Sequence, residues 1–386
     1  MKKILALLLV LALSLTLVAC GSGKKDAAST GSYKVAMVTD YGDITDQSFN
    51  QTTWEAVVAF GKDNNVETKY YKPTSNDTAG RVASVELAIA EGYNVIVMPG
   101  YAFGGTIVEV APNYPDVKFV ALDVAKGDLL ETAVANKGES YDYNPDNWKL
   151  EDYVDMSNVY CAIYQEELAG YMAGYAAVKL GYTKLGFTGG GGGDNPACCR
   201  YGYGFVQGAS AAAAEMGVKV EMNYSWLYGA SFSASTELQT MASGWYENGT
   251  EAIFACGGNM FQSVAAAAAA NDGAVVGVDV DQSSQSDTVI TSAMKGLSEA
   301  VNTALADIDA GSWGDIAGSN GNFGLEDGDY IGLPTDADSW NFESFTTDEY
   351  EEVKGKIKSG EITVDNSSDD ATKPTVSEFT TVNYIQ

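Results

Sequence analysis

From residue 33 onward the chain alternates short apolar runs with longer segments of helical spacing. The runs at 34–39, 94–98, 118–122, 184–188, 252–256 and 275–278 are apolar on successive positions. A strand with one wet face would alternate instead; continuous runs fit strands covered on both faces. Between them, segments 50–64, 79–91, 166–180, 204–216, 234–246 and 261–271 have the length and periodicity of helices. Strand then helix, repeated, predicts an α/β fold of doubly wound parallel sheets. Three of the strands precede residue 125 and three follow 183, which suggests two similar lobes joined by a hinge. The pattern assigns 33–160 plus 289–320 to the first lobe and 161–288 to the second. Residues 321–386 form a C-terminal segment packed on the second lobe and the hinge, with a short helix at 347–358. A further helix is expected over 291–309. Residues 127–157 break the rhythm: Asp, Glu, Asn, Tyr and Pro dominate, as in a polar surface insertion.

The N-terminus reads differently. Met1-Lys2-Lys3 is basic, 4–19 is apolar apart from Ser14 and Thr16, and Cys20 is followed by Gly-Ser-Gly. Sixteen apolar-region residues fall short of a membrane span, which needs roughly 20. The layout is that of a secretory signal. Leu17-Val18-Ala19-Cys20 resembles the lipobox of bacterial lipoproteins, in which the cysteine is lipidated. The expectation is a signal peptide over 1–19, a lipid-anchored tether over 20–32, and a mature protein outside the cytoplasm on the cell membrane.

Composition then narrows the chemistry. The 386 residues carry 22 Lys+Arg against 52 Asp+Glu, a net charge of −30, and no histidine. That removes the Ser-His-Asp triad, His-based metal sites and imidazole proton shuttles. So negative a chain is a poor partner for nucleic acid or an anionic lipid surface. With 46% hydrophobic and 19% charged residues it reads as globular, and its length suits two domains of roughly 150 residues. Cys161, Cys198, Cys199 and Cys256 lack the paired spacing of a zinc site. They are small buried residues, or two of them form a disulfide in an oxidising compartment. No metal and no cofactor is expected.

Ligands of open α/β sheets bind beyond the carboxyl ends of the strands, so the residues that follow each strand matter most. After the first comes Thr39-Asp40, then Asp46-Gln-Ser48-Phe49-Asn50-Gln51. Ser48 with Gln51 fits a capping box, which gives Asp46 and Ser48 a structural role beside a ligand role. Phe49 is either a core plug or a ring for stacking. Asp123 ends the third strand, Gly257-Gly258 the fifth and Asp279 the sixth. Strand-end aspartates cap helices, but one in each lobe, together with Asp40, points to carboxylates that accept hydrogen bonds from ligand hydroxyls across a cleft. Five glycines at 189–193 lack the flanking residues of a phosphate loop and read as a hinge or close-approach loop. Tyr201, one turn before Phe205, is the candidate ring of the second lobe, while Phe205 packs on the sheet. Lys295 is a lone cation at an expected helix start, unfavourable for the helix dipole, which implies a carboxylate or ligand partner.

These blocks together resemble one family. The lipobox at Cys20, the Thr39-Asp40 … Asp46-Gln-Ser-Phe49-Asn50-Gln51 block, Phe187-Thr-Gly-Gly … Arg200-Tyr-Gly-Tyr-Gly-Phe205, and Gly277-Val-Asp279-Val-Asp281-Gln282 with Thr291-Ser-Ala-Met-Lys295 are similar to the basic membrane protein (BMP) family. These are solute-binding lipoproteins, the purine-nucleoside receptors of ABC transporters. The resemblance covers about residues 17–125 and 160–310. It implies a type I periplasmic-binding-protein-like fold, a nucleoside ligand and ABC transporter permease subunits as partners. It also implies a purine stacked between Phe49 and Tyr201, with Asp40 and Asn50 among the residues that hydrogen-bond the ligand. Asp123, Asp279 and Lys295 would lie in the base and sugar pockets, and Gly257 and Gly258 would line the cleft. Tyr201 stands where phenylalanine is commoner, Cys198-Cys199 replaces apolar residues, and 127–158 and the tail after 320 have no counterpart. Two other readings stand beside this one. One is a receptor for a simple sugar or furanosyl signal. The other is a calcium-dependent nucleoside hydrolase using Asp40, Asp43 and Asp46, although acids at i, i+3 and i+6 are not the alternating ligands of a calcium loop. No catalytic residue is assigned, and the expectation is a protein that is not an enzyme.

Overall fold

The structure, a computed structural model, describes residues 33–386 apart from 341, 343 and 368. The signal segment, Cys20 and the tether lie outside the described residues.

Two sheets make up the molecule. The first holds β1 (Val35–Val38), β2 (Thr68–Tyr71), β3 (Val95–Pro99), β4 (Lys118–Leu122), β5 (Val159–Tyr164) and β11 (Asn320–Phe323) in the order β11-β5-β4-β3-β1-β2, all parallel. The second holds β6 (Lys184–Gly189), β7 (Val220–Ser225), β8 (Ala252–Cys256), β9 (Ala274–Asp279), β10 (Val289–Lys295), β12 (Ile331–Gly332) and β13 (Thr380–Ile385). Its order is β12-β10-β9-β8-β6-β7-β13, parallel except where β12 runs against β10. Helices cover both faces: α1 (Phe49–Asn64), α2 (Thr78–Ala90), α3 (Phe103–Val110) and α4 (Lys126–Asn136) on the first sheet; α5 (Glu166–Lys179), α6 (Pro196–Met216), α7 (Thr236–Glu247) and α8 (Met260–Ala270) on the second. The six strands read from apolar runs are β1, β3, β4, β6, β8 and β9, and β3 and β8 are buried at every position. That is what a strand needs when helices lie on both sides.

Several elements differ from the reading. Residues 289–295 form β10, not the start of a helix; the β-branched run Val289-Ile290-Thr291 favours a strand, and α9 (Leu297–Ala310) begins after it. β10 therefore stays in the second sheet, and the chain returns to the first lobe only with α9, which packs on α1. The expected boundary at 289 thus moves to Gly296. The boundary at 161 moves too, because all of β5 belongs to the first sheet. The polar stretch 127–157 is not all insertion, since α4 occupies its first part and buries Leu129, Leu130, Ala133 and Val134. Helix α6 starts eight residues before the expected 204. Pro196 sits in its first turn and the Asn195 side chain accepts from the Cys198 N–H. In the C-terminal part, α11 (Thr347–Lys358) spans the predicted residues, preceded by the single turn α10 (Trp313–Ile316); α11 packs on α5, and β13 pairs with β7.

The chain passes between the sheets three times, at Gln165, at Gly296 and over 324–330. The crossings are tied together: the Gln165 N–H donates to the Phe323 carbonyl (2.9 Å) and the Gly296 N–H to the Tyr330 carbonyl (2.8 Å). Helices α5 and α6 meet at backbone distance. A Cβ on Gly204 would lie 1.9 Å from the Glu167 carbonyl, and one on Gly170 would lie 2.1 Å from the Tyr201 carbonyl. This contact sets the start of α5, with Glu166, against the start of α6, with Arg200 and Tyr201.

Candidate ligand-binding cleft

A cavity of about 300 Å³ opens between the two sheets at the carboxyl ends of their strands. Asp40, Phe49, Asn50, Asp123, Tyr201, Gly257, Gly258, Asp279 and Lys295 all line it. Residues far apart in sequence meet there because parallel strands point the same end toward the cleft.

The first wall is built by the start of α1. Ser48 occupies the cap position but makes no side-chain cap bond. Asp46 does that work, accepting from the backbone N–H groups of Ser48 (3.1 Å), Asn50 (2.9 Å) and Gln51 (3.0 Å), and from Asn50 Nδ2 (3.0 Å). The expected capping box is thus replaced. Gln47 in the left-handed region (φ 57°) brings the upstream carboxylate over the helix end. Freed from capping, Ser48 donates through Oγ to Asp279 Oδ2 (2.6 Å), on the other lobe. Gln282 Nε2 adds a second inter-lobe bond to the Gln47 carbonyl (3.0 Å). Asp40 spends one carboxylate oxygen on the N–H groups of Tyr41 and Gly42 (2.6 and 2.8 Å).

The floor is a buried charge network. Lys295 is the last residue of β10, not a helix residue, and only 6% exposed. Its ammonium lies 2.6 Å from Asp123, 3.4 Å from Glu166 and 3.5 Å from Asp279. Glu166 also accepts from Arg200 Nε at 2.6 Å. Burial by itself would lower the Lys295 pKa, but Asp123, Asp279 and Glu166 outweigh it and hold the ammonium above the ordinary lysine range. Burial pushes the Asp123 carboxyl up to about 6 against the pull of Lys295. Both strand-end aspartates sit in the left-handed region, with φ of 59° at Asp123 and 67° at Asp279. Such a conformation is uncommon outside glycine, though aspartate tolerates it, and it recurs at ligand sites. Phe49, Tyr164 and Tyr201 surround the same ammonium at 4.8, 5.5 and 5.7 Å from ring centre to Nζ.

Three polar atoms of the lining are buried without a partner among the described residues: Asp123 Oδ1, Asn50 Oδ1 and the Tyr201 hydroxyl. Native proteins leave few buried polar groups unpaired.

The rings differ from the expectation. Phe49 is half-buried and faces the cavity, but Tyr201 is only 1% exposed and meets Phe254 edge-on at 5.9 Å. Little of its face is free to stack. The ring that the sequence reading missed is Phe232, half-buried in the loop between β7 and α7 and in the cavity lining. It rests on the glycine loop: a Cβ on Gly190 would fall 2.2 Å from its ring. Gly190 and its neighbour Gly191 therefore make room for an aromatic side chain. The available signal was an aromatic in a Gly-Ala-Ser-Phe-Ser segment that begins four residues after the end of β7. Gly257, with φ of 156°, could not carry a side chain without running into the Gly190 backbone at 3.1 Å.

The acids of the calcium reading do not converge. Asp43 pairs with Lys72 (2.7 Å), Asp46 is spent on the helix start, and among the described residues no group of acids or cysteines is arranged to hold a metal. Cys161, Cys198, Cys199 and Cys256 are all free and buried, so no disulfide links them. No described helix is long and apolar enough to cross a membrane.

Residues 33–368 match the family profile described as "ABC transporter substrate-binding protein PnrA-like". The chain belongs to the Bmp family. Among its Bmp relatives is the "ABC transporter nucleoside-binding protein BmpA" of Lactococcus lactis, 28% identical over 73% of this chain and 75% of the relative. Another is basic membrane protein B of Borreliella afzelii, 27% identical over 74% and 76%. The "CD4+ T-cell-stimulating antigen" of Listeria innocua is 28% identical over 93% and 97%. In fold, the chain matches a solute-binding protein of an ABC transporter from Aeropyrum pernix with a TM-score of 0.68 at 23% identity, over 88% of this chain and 95% of that one. The Bmp assignment makes this a substrate-binding protein of an ABC transporter, with two α/β lobes around its cleft.

Proposed function

We propose that this chain captures a purine nucleoside outside the cytoplasm and delivers it to an ABC transporter permease, anchored to the membrane through a lipid on Cys20, and that it catalyses no reaction. The cleft supports the ligand class. The observation that carries the reading is the pairing of half-buried rings, Phe49 on one lobe and Phe232 on the other, with acceptor oxygens left unpartnered on Asp123 and Asn50. Rings on facing walls suit a planar base, and stacking contributes roughly 0.5–1.5 kcal/mol beyond burial. Free carboxylate oxygens suit the hydroxyls of a sugar. In this reading Asp40 and Asn50 take the base edge, Asp123 and Asp279 the ribose, and Lys295 neutralises the carboxylates so that they can be buried. Gly257 and Gly258 keep the entrance open. A nucleotide is disfavoured, because its phosphate would meet acids on both walls. The relative named as nucleoside-binding supports the same class. Closure needs a ligand that binds the closed form better than the open one, and contacts to both lobes supply that difference.

The test is calorimetric titration with adenosine, guanosine, inosine, cytidine and ribose. Tight binding of the purine nucleosides supports the reading. Heat with ribose alone would support a sugar receptor on the same fold.

A further inference from the structure

We infer that Asp370, outside the cleft lining, is a positioning residue for the ligand: through the Trp226 indole it holds the glycine loop that seats Phe232, so the C-terminal segment sets the second stacking wall. This rests on the nucleoside reading and on Phe232 as its second ring.

Trp226 follows β7 directly and Phe232 stands six residues further on. Phe232 lines the cleft and Trp226 does not. Their shared loop is closed by its own backbone: the Gly229 N–H donates to the Trp226 carbonyl (3.2 Å) and the Phe232 N–H to the Gly229 carbonyl (3.0 Å). The glycine loop lies between the two rings. A Cβ on Gly189 would fall 2.0 Å from the Trp226 ring, and one on Gly190 would fall 2.2 Å from the Phe232 ring. The Gly191 N–H joins the two loops by donating to the Gly229 carbonyl (3.1 Å). Close packing of this kind passes a shift of one ring to the other. An indole N–H can only donate, and Trp226 Nε1 gives its bond to Asp370 Oδ1 at 2.7 Å. A carboxylate acceptor makes that bond one of the stronger kind. Asp370 also backs the loop itself: a Cβ on Gly193 would lie 3.3 Å from Asp370 Cβ and 3.4 Å from the indole Nε1. The segment that carries Asp370 runs between α11 and β13 and is tied to α6. The Asp365 N–H donates to Gln207 Oε1 (3.0 Å) and the Ser377 N–H to Ser210 Oγ (2.8 Å). Asp370 thus reaches the cleft only through Trp226 and the glycines.

The experiment titrates the detergent-solubilised full-length chain with adenosine. Asp370→Leu removes the acceptor, and affinity should fall about fivefold, within the range of coupling between residues in contact. Asp370→Asn keeps an oxygen for the indole N–H and should bind within about twofold of the unsubstituted chain. A loss as large as that of Asp370→Leu would overturn the inference. The deciding readout is the double variant with Phe232→Ala. If Asp370 acts by placing Phe232, Asp370→Leu costs less than about twofold once that ring is gone. A merely structural loss would lower the affinity by the same factor with and without Phe232, and that result overturns the inference. So does an Asp370→Leu chain that binds as tightly as the unsubstituted one. Should Asp370→Leu fail to fold, Trp226→Phe, which keeps a ring and loses the N–H, takes its place in the same cycle with the same outcomes. If adenosine does not bind the unsubstituted chain, the nucleoside reading falls and this one with it, a result distinct from binding that Asp370 does not affect.

Discussion

Lys295 Nζ lies 2.6 Å from Asp123 Oδ2, although β10 and β4 belong to different sheets. The ion pair crosses the cleft at its floor, where both side chains are buried. With Asp279 and Glu166 on the same ammonium, one cation holds three carboxylates from both lobes in a closed arrangement.

Removing that cation should cost more than the pair contributes, because the carboxylates stay buried. Lys295→Met is expected to destabilise the protein by about 3–5 kcal/mol, the usual penalty for an orphaned buried charge. Urea unfolding followed by circular dichroism measures it. A loss below about 1 kcal/mol would mean that the carboxylates find solvent or protons instead.

Stability should rise as the pH falls from about 8 to 5. Burial pushes Asp128 and Glu167 up to about 7 and Asp123 to about 6. Between the ordinary carboxylate range and those values the folded chain holds protons that the unfolded chain has released. Raising the pH through that window therefore weakens the fold. Below about 4 the order reverses, because partners such as Lys34 hold surface acids like Glu67 below the ordinary range. A thermal melting midpoint that is highest near pH 5 is the expected result.

The two candidate rings can be told apart. Phe232→Ala should weaken nucleoside binding by about tenfold or more, as loss of a stacked face does. Tyr201→Leu should weaken it less than Phe232→Ala does, because the Tyr201 ring is already packed on Phe254 and little of its face is free. The reverse order would restore Tyr201 as the second stacking ring.

Gly204→Ala tests the seam between α5 and α6. The added methyl would meet the Glu167 carbonyl carbon at 2.7 Å and its oxygen closer still. Two packed helices must then part, and a loss of about 3 kcal/mol is expected, the upper part of the overpacking range. Chemical denaturation reads it directly.

Much of this arrangement was legible in the sequence because it depends on local pattern. Asp123 and Asp279 stand directly after apolar runs, so their place at the carboxyl ends of strands follows from period alone. The edge strands were not legible: β2 carries Lys69 and Tyr70 exposed, and β11 is Asn-Gly-Asn-Phe, since an edge has fewer covering neighbours and tolerates polar residues. α4 was hidden because its polar face outnumbers the four residues it buries. The capping pattern at Ser48 and Gln51 was real but outcompeted. A carboxylate two residues upstream accepts three backbone N–H groups, which a hydroxyl cannot. Phe232 carried no periodic signal, because a loop residue is placed by the glycines it packs on and not by its neighbours in sequence.

The most direct test of the account is a crystal structure of the protein grown with adenosine. The account predicts a base between Phe49 and Phe232, its edge on Asp40 and Asn50, and ribose hydroxyls on Asp123 and Asp279. A nucleoside bound outside this cleft, or a cleft that takes only a sugar with both rings untouched, would contradict it.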